Sequence, residues 1–212
     1  VTTRLLVIRH GETAWNAEHR IQGHLDIPLS ATGFRQAARL AERLAGERVD
    51  AVYSSELARA WLTALPLAER LGLELIPEPR LRERSFGVFE GLTLDEIAAR
   101  HPAAFQSWRG RDPLWAMEGG ETGQQLIDRV LEALHDIAGR HRGQTVAIVT
   151  HGGVLDVAYR AARALDWDAP REHQMLNASI NRLRVTFSPP ALAMVDWGDV
   201  AHLSESRDET LT

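Results

Sequence analysis

The spacing of apolar residues along this chain switches repeatedly between two periods. Leu5-Leu6-Val7-Ile8 is an unbroken apolar run bounded by arginines, the signature of a strand buried on both faces. Similar short runs recur at Ala51 to Tyr53, Leu73 to Ile76, Thr145 to Val149, Leu183 to Phe187 and Leu192 to Val195. Between them the period lengthens to that of a helix. Phe34, Ala37, Ala38, Ala41 and Leu44 make one stripe over residues 32–44, with Ser30 placed to cap it. A second helix is predicted from Ser55 to Leu71, stopped by Gly72, with Pro66 as a point of kinking. Thr93-Leu94-Asp95-Glu96 reads as a capping box that opens a short helix ending before Pro102. A long helix follows from Glu121 to about His141, ended by Gly143, and another from Gly153 to Leu165.

Strands alternating with helices predict a three-layer α/β/α sandwich, with a mostly parallel central sheet and helices on both faces. Ser188-Pro189-Pro190-Ala191 separates the last two strands and points to a closing hairpin. Residues 86–120 have a different texture, rich in Gly, Pro and Trp, and read as an insertion over one end of the sheet. The 212 residues fit one domain spanning 1–212. From Ser204 onward the chain is polar and expected to fray.

Composition narrows the chemistry. The net charge is −5 with no basic stripe, which argues against a nucleic-acid partner. All 24 basic residues are arginine, a side chain suited to gripping oxyanions through two hydrogen bonds at once. Cysteine is absent, so disulfides, thiolate catalysis and cysteine-ligated metals are excluded. No apolar run reaches the length of a membrane span, and a cytoplasmic address is expected. Whether the chain forms a homo-oligomer stays open.

In open α/β sheets ligands bind beyond the carboxyl ends of the strands. Three predicted strands deliver polar groups there: Arg9-His10, then Ser54-Ser55 with Arg59 a turn further on, and Thr150-His151-Gly152-Gly153. Two histidines and two arginines, distant in sequence, are therefore expected at one sheet edge. Guanidinium pairs grip phosphoryl oxygens. A neutral imidazole attacks phosphorus in line, and a second, protonated one stabilises the spreading charge. A leaving alkoxide still needs a proton, and Glu83 is the best candidate donor, with Glu90 a rival. Glu83 could instead be an ion-pair partner for Arg82 or Arg84.

The blocks RHGETAWN (9–16), IQGHLDIPLSATG (21–33), SSELARAWLTA (54–64), LRERSFGVFEG (81–91) and VTHGG (149–153) resemble the histidine phosphatase superfamily, in its phosphoglycerate-mutase-like branch. They stand in the family's order and cover most of the chain. The resemblance implies that His10 is the phosphorylated nucleophile, that Arg9, Arg59 and His151 complete a phosphate pocket, and that Glu83 donates the proton. It also implies phosphate contact at Asn16, a substrate-lining role for Gln22 and Gly23, and a backbone approach to the anion at Gly152. A bland alternative for Asn16 is that it caps a turn.

Neither cofactor nor metal is expected, since the flanking arginines would repel a cation. The expected partner is a small phosphorylated metabolite, without nucleic acid or membrane. Two reactions fit the pocket: hydrolysis of a phosphomonoester, or phosphoryl transfer within phosphoglycerate, as in a cofactor-dependent mutase. The glycolytic mutases carry Glu-Arg-His-Tyr-Gly and a longer insertion, whereas this chain has Glu83-Arg84-Ser85-Phe86-Gly87 and a short one. The resemblance therefore favours the small broad-specificity phosphatases. A binding protein without turnover is the third reading, disfavoured because every chemical position is filled. Trp108 and Trp115 are expected to pack a core or lid, or to line the leaving-group pocket.

Overall fold

A computed structural model of the chain describes residues 1–208. Six strands form one sheet: β1 (Thr3–Arg9), β2 (Ala51–Ser54), β3 (Leu75–Pro77), β4 (Thr145–Thr150), β5 (Ile180–Phe187) and β6 (Pro190–Asp199). Their spatial order is β3-β2-β4-β1-β5-β6. The first four are parallel, while β5 runs antiparallel to β1 and forms the expected closing hairpin with β6.

Seven α-helices accompany the sheet in the described residues: α1 (Ala14–Ala17), α2 (Ala31–Leu44), α3 (Ala58–Leu71), α4 (Leu94–Arg100), α5 (Pro102–Arg109), α6 (Gly123–Arg140) and α7 (Gly152–Arg163). The unbroken apolar run of β1 follows from this layering, because successive side chains point to opposite faces. Leu6 and Ile8 pack with Leu40 and Leu44 of α2 and Leu67 of α3. Leu5 and Val7 pack with Val130 and Leu134 of α6 and Leu155 of α7. The neighbouring strands β1 and β4 thus send their following helices, α2 and α7, to opposite faces. A crevice opens where such connections diverge.

Several boundaries differ from the sequence expectation. The second long helix starts at Ala58, not Ser55, because Leu57 is extended and Ser55 stays in the preceding loop. Pro66 lies inside α3, which runs on to Leu71 before Gly72 turns the chain at φ +65°. Pro102 closes one helix but opens α5, where a proline at the first position forfeits no helical hydrogen bond. Thr122 caps α6 and leaves Glu121 outside the helix. The short helix α1 is opened by a Thr13–Asn16 capping box.

Residues 204–208 are docked rather than frayed. Arg207 Nε lies 2.6 Å from Glu12 Oε2, Ser206 Oγ donates to the Asn177 carbonyl at 2.6 Å, and Asp208 Oδ1 accepts from Met175 N at 2.6 Å. Residues 209–212 of that expected tail lie outside the described residues.

The loop after β1 meets the start of α2 main chain against main chain. A methyl group on Gly11 would sit 2.8 Å from the Gly33 carbonyl oxygen, and one on Gly33 would sit 2.1 Å from that of Glu12. Residues 86–120 build a small core of their own around Ile21, Phe86, Phe89, Ile97 and Met117. Trp108 packs against Phe86 and Phe89 there, with ring centroids 6.1 and 5.7 Å away. Among the described residues no helix is long and apolar enough to cross a membrane.

Candidate active site

Register brings the two histidines together. Arg9 pairs with Thr150 across β1 and β4, so the residues that follow, His10 and His151, emerge side by side. Their ring centroids are 5.3 Å apart. His10 N donates to the Thr150 carbonyl at 2.8 Å, which fixes the strand exit. His10 Nδ1 lies 2.7 Å from the Gly11 carbonyl. A carbonyl only accepts, so Nδ1 carries the hydrogen and Nε2 is left with its lone pair. Burial, then Arg59, then Arg9 hold the His10 pKa well below its ordinary value, against a partial pull from the Gly11 bond. The ring is neutral at physiological pH.

His151 is fully buried, with Nε2 2.8 Å from Ser55 Oγ. Its Nδ1 has no hydrogen-bond partner among the described residues. Burial again dominates a strongly lowered pKa, helped by Arg59, His10, Arg129 and Arg9. An oxyanion beside this ring would reverse that balance and favour the imidazolium.

Both arginines are buried and aimed by main-chain carbonyls. Arg9 donates to the carbonyls of Met175 at 2.5 Å and Arg207 at 3.3 Å. Arg59 donates to those of Gly23 at 2.7 Å and Leu25 at 2.9 Å. Thr63, one turn along α3, accepts from Gly11 N at 2.8 Å and donates to the Arg59 carbonyl at 2.7 Å. It ties the loop of one histidine to the helix of the second arginine.

The Glu83 carboxylate sits at the first turn of α7, beside His151. Its oxygens accept from Gly153 N at 3.1 and 3.2 Å, and Oε1 accepts from Arg84 N at 2.7 Å. A methyl group on Gly153 would fall 2.4 Å from Glu83 Oε1, so any side chain there would push the carboxylate from its place. Arg82 pairs instead with Glu56 at 2.6 Å. The rival Glu90 is occupied elsewhere, accepting from His24 N at 3.0 Å and Phe86 N at 2.9 Å.

The remaining expected residues surround this core. Asn16 Oδ1 accepts from Thr13 N at 3.0 Å and from Asn177 Nδ2 at 3.4 Å, and Asn177 Nδ2 also donates to the His10 carbonyl at 3.0 Å. The capping role of Asn16 is therefore real, and Asn177 links it to the His10 loop. Gln22 Oε1 accepts from Thr13 Oγ1 at 2.9 Å. Gly23 takes φ +52° and offers its carbonyl to Arg59; Gly152 is the first residue of α7. Sequence reasoning missed Ser55, Thr63 and Asn177 as partners. Ser55 and Thr63 both stood in the quoted block 54–64; Asn177 left no local signal.

Beyond Glu83 lies a cavity of about 510 Å³, lined by Glu83, Arg84, Trp108, Arg111, Trp115 and Trp167 among others. Burial lowers the Arg84 pKa to about 10, with Glu121 and Glu83 pulling the other way, so it remains cationic at neutral pH. Its guanidinium lies 5.6 Å from the Phe86 ring centroid and 5.9 Å from that of Trp167. Among the described residues no group of three or more His, Cys, Asp or Glu could hold a metal ion.

Two neutral histidines between two fixed cations, with a carboxyl at the rim of a cavity, form an arrangement fit to bind a phosphoryl group. Comparison with known proteins agrees. The chain is 41% identical over 205 residues to a phosphoglycerate mutase-like protein of Arabidopsis thaliana, covering 95% of this chain and 87% of that one. It is 40% identical to a metal-independent phosphoserine phosphatase of the same plant, covering 95% and 84%. A mycobacterial glucosyl-3-phosphoglycerate phosphatase solved with VO3 superposes with a TM-score of 0.81 at 33% identity, over 92% of this chain and 98% of that one. The model of the histidine phosphatase superfamily, branch 1, matches residues 5–199, and the chain belongs to that family.

Proposed function

We propose that this chain is a phosphomonoester hydrolase that acts without a metal, through a phosphohistidine on His10. The observation that carries this reading is the 2.7 Å bond from His10 Nδ1 to the Gly11 carbonyl, which leaves Nε2 as a buried, neutral nucleophile between two arginines. Arg9 and Arg59 hold the non-bridging oxygens. Nε2 attacks phosphorus, the bond to the leaving oxygen breaks, and Glu83 gives that oxygen its proton. His151, whose protonated form the bound dianion favours, stabilises the equatorial charge. Water then attacks phosphorus while Glu83 takes its proton, and phosphate leaves His10 free.

Residues 86–120 act as the specificity insertion of a single-domain enzyme, because Phe86, Trp108 and Trp115 face the cavity behind the acid. The partner is a small phosphorylated metabolite, with no nucleic acid or membrane involved, and the compartment is the cytoplasm. The phosphatase names carried by relatives support hydrolysis over the mutase reaction.

Incubation with phosphoglycerate, with and without a bisphosphoglycerate primer, tests the reading. Release of inorganic phosphate without primer is expected; rapid isomerisation without release overturns it. His10→Ala lowers turnover by ~10⁴-fold or more while oxyanion binding persists. Surviving activity on an aryl phosphate would mean another nucleophile.

A further inference from the structure

Helix α6 carries an arginine whose five N–H donors are all used. Arg129 Nη1 donates to the carbonyls of Arg80 at 2.7 Å and Arg82 at 2.8 Å. Nη2 donates to the Glu83 carbonyl at 2.9 Å and to Glu121 Oε2 at 2.8 Å, and Nε to Glu121 Oε1 at 2.6 Å. Glu121 in turn accepts from Ser85 N at 3.3 Å. Together the two side chains grip the main chain at residues 80, 82, 83 and 85, the stretch that presents the acid.

Stabilisation alone would not require this pattern. A bidentate Arg–Glu pair is complete with two contacts; here three more reach main-chain carbonyls on one short segment. The Glu83 carboxylate has main-chain amides of Arg84 and Gly153 as partners, so its place depends on where the backbone of residue 83 runs. Proton delivery to a leaving oxygen is sensitive to displacements of about 1 Å. We propose that Arg129 and Glu121 are a positioning pair that sets the Glu83 carboxyl for proton transfer to the leaving group. This rests on Glu83 being the acid.

A lysine at 129 keeps the cation, and with it the field on His151, but has only three donors and no fork. The test compares an alkyl phosphate such as glycerol 2-phosphate, whose leaving oxygen needs a proton, with p-nitrophenyl phosphate, whose phenolate hardly does. Arg129→Lys is expected to lower kcat/KM, which reports transfer to His10 and not the later hydrolysis that both esters share, ~100-fold on the alkyl ester and by less than about 3-fold on the nitrophenyl ester. Glu121→Gln shifts the same ratio in the same direction, more weakly, and carries the comparison should the lysine variant not fold. Equal losses on both esters, or none on either, overturn the proposal. A wild-type protein that hydrolyses neither ester overturns the proposed function too. A Glu83→Gln variant that splits the two esters while both positioning variants do not removes only the pair.

Discussion

The two halves of the candidate site are built in opposite ways. At the phosphate end, His10 and His151 leave adjacent strands of one sheet, and the two arginines are aimed by main-chain carbonyls. Every titratable group there is buried, and the field is of one sign. Across Glu83, the cavity is walled by side chains from loops and short helices: three indoles, four guanidiniums and three aspartates among them. A register-fixed end preserves one chemistry. A loop-built end, where charges of both signs and aromatic rings meet, can change its ligand without disturbing that chemistry.

Glu83 stands on the boundary, and replacing it is expected to have the largest effect of the changes that probe this division. Glu83→Gln should cost ~10²–10³-fold in kcat/KM on alkyl phosphates and far less on p-nitrophenyl phosphate. A wild-type rate that goes on rising into alkaline pH would argue against this carboxyl as the acid.

Trp108→Ala sharpens the comparison from the cavity side. Steady-state kinetics should show kcat/KM for a bulky phosphomonoester falling about tenfold, the worth of one aromatic contact, while inhibition by vanadate stays unchanged. A matching loss of vanadate affinity would show that the two ends are not separable.

The smallest expected effect concerns stability at the phosphate end. His10 and His151 have pKa values lowered by folding. Well above pH 6.5 neither state binds these protons. As pH falls below about 6.5, the unfolded chain takes them up first, so folding stability declines with acidification down to the native pKa values. His10→Gln should reduce that slope by at most ~1.4 kcal/mol per pH unit, read from urea unfolding between pH 7 and 5. An unchanged slope would mean that folding does not shift the His10 pKa.

Much of the sheet and of the layout of the candidate site was legible in the sequence because both depend on short-range patterns. Leu5 to Ile8 announced a strand covered on two faces, and the polar residues after it had to emerge at its end. What aims those residues was not legible. The carbonyls of Met175, Gly23 and Leu25 carry no side-chain signature, and they reach Arg9 and Arg59 only after folding. Pro102 read as a stop because proline disfavours the residue before it; the same ring suits the first turn of the next helix. Nothing in the sequence sets Arg129 apart from the other polar positions of its helix. The tail from Ser204 looked free because a polar segment offers no apolar face, yet Ser206, Arg207 and Asp208 bind through hydrogen bonds and charge.

The close contact of Gly11, Glu12 and Gly33 has a consequence for how variation in this chain is interpreted. Gly33 is an achiral, uncharged residue at the foot of a helix, and by side-chain chemistry it would be scored as interchangeable with alanine. One added methyl group must nonetheless displace the Glu12 carbonyl, two residues along the chain from His10. What seats the loop after His10 against its neighbouring helix is as much an absent carbon as any side chain.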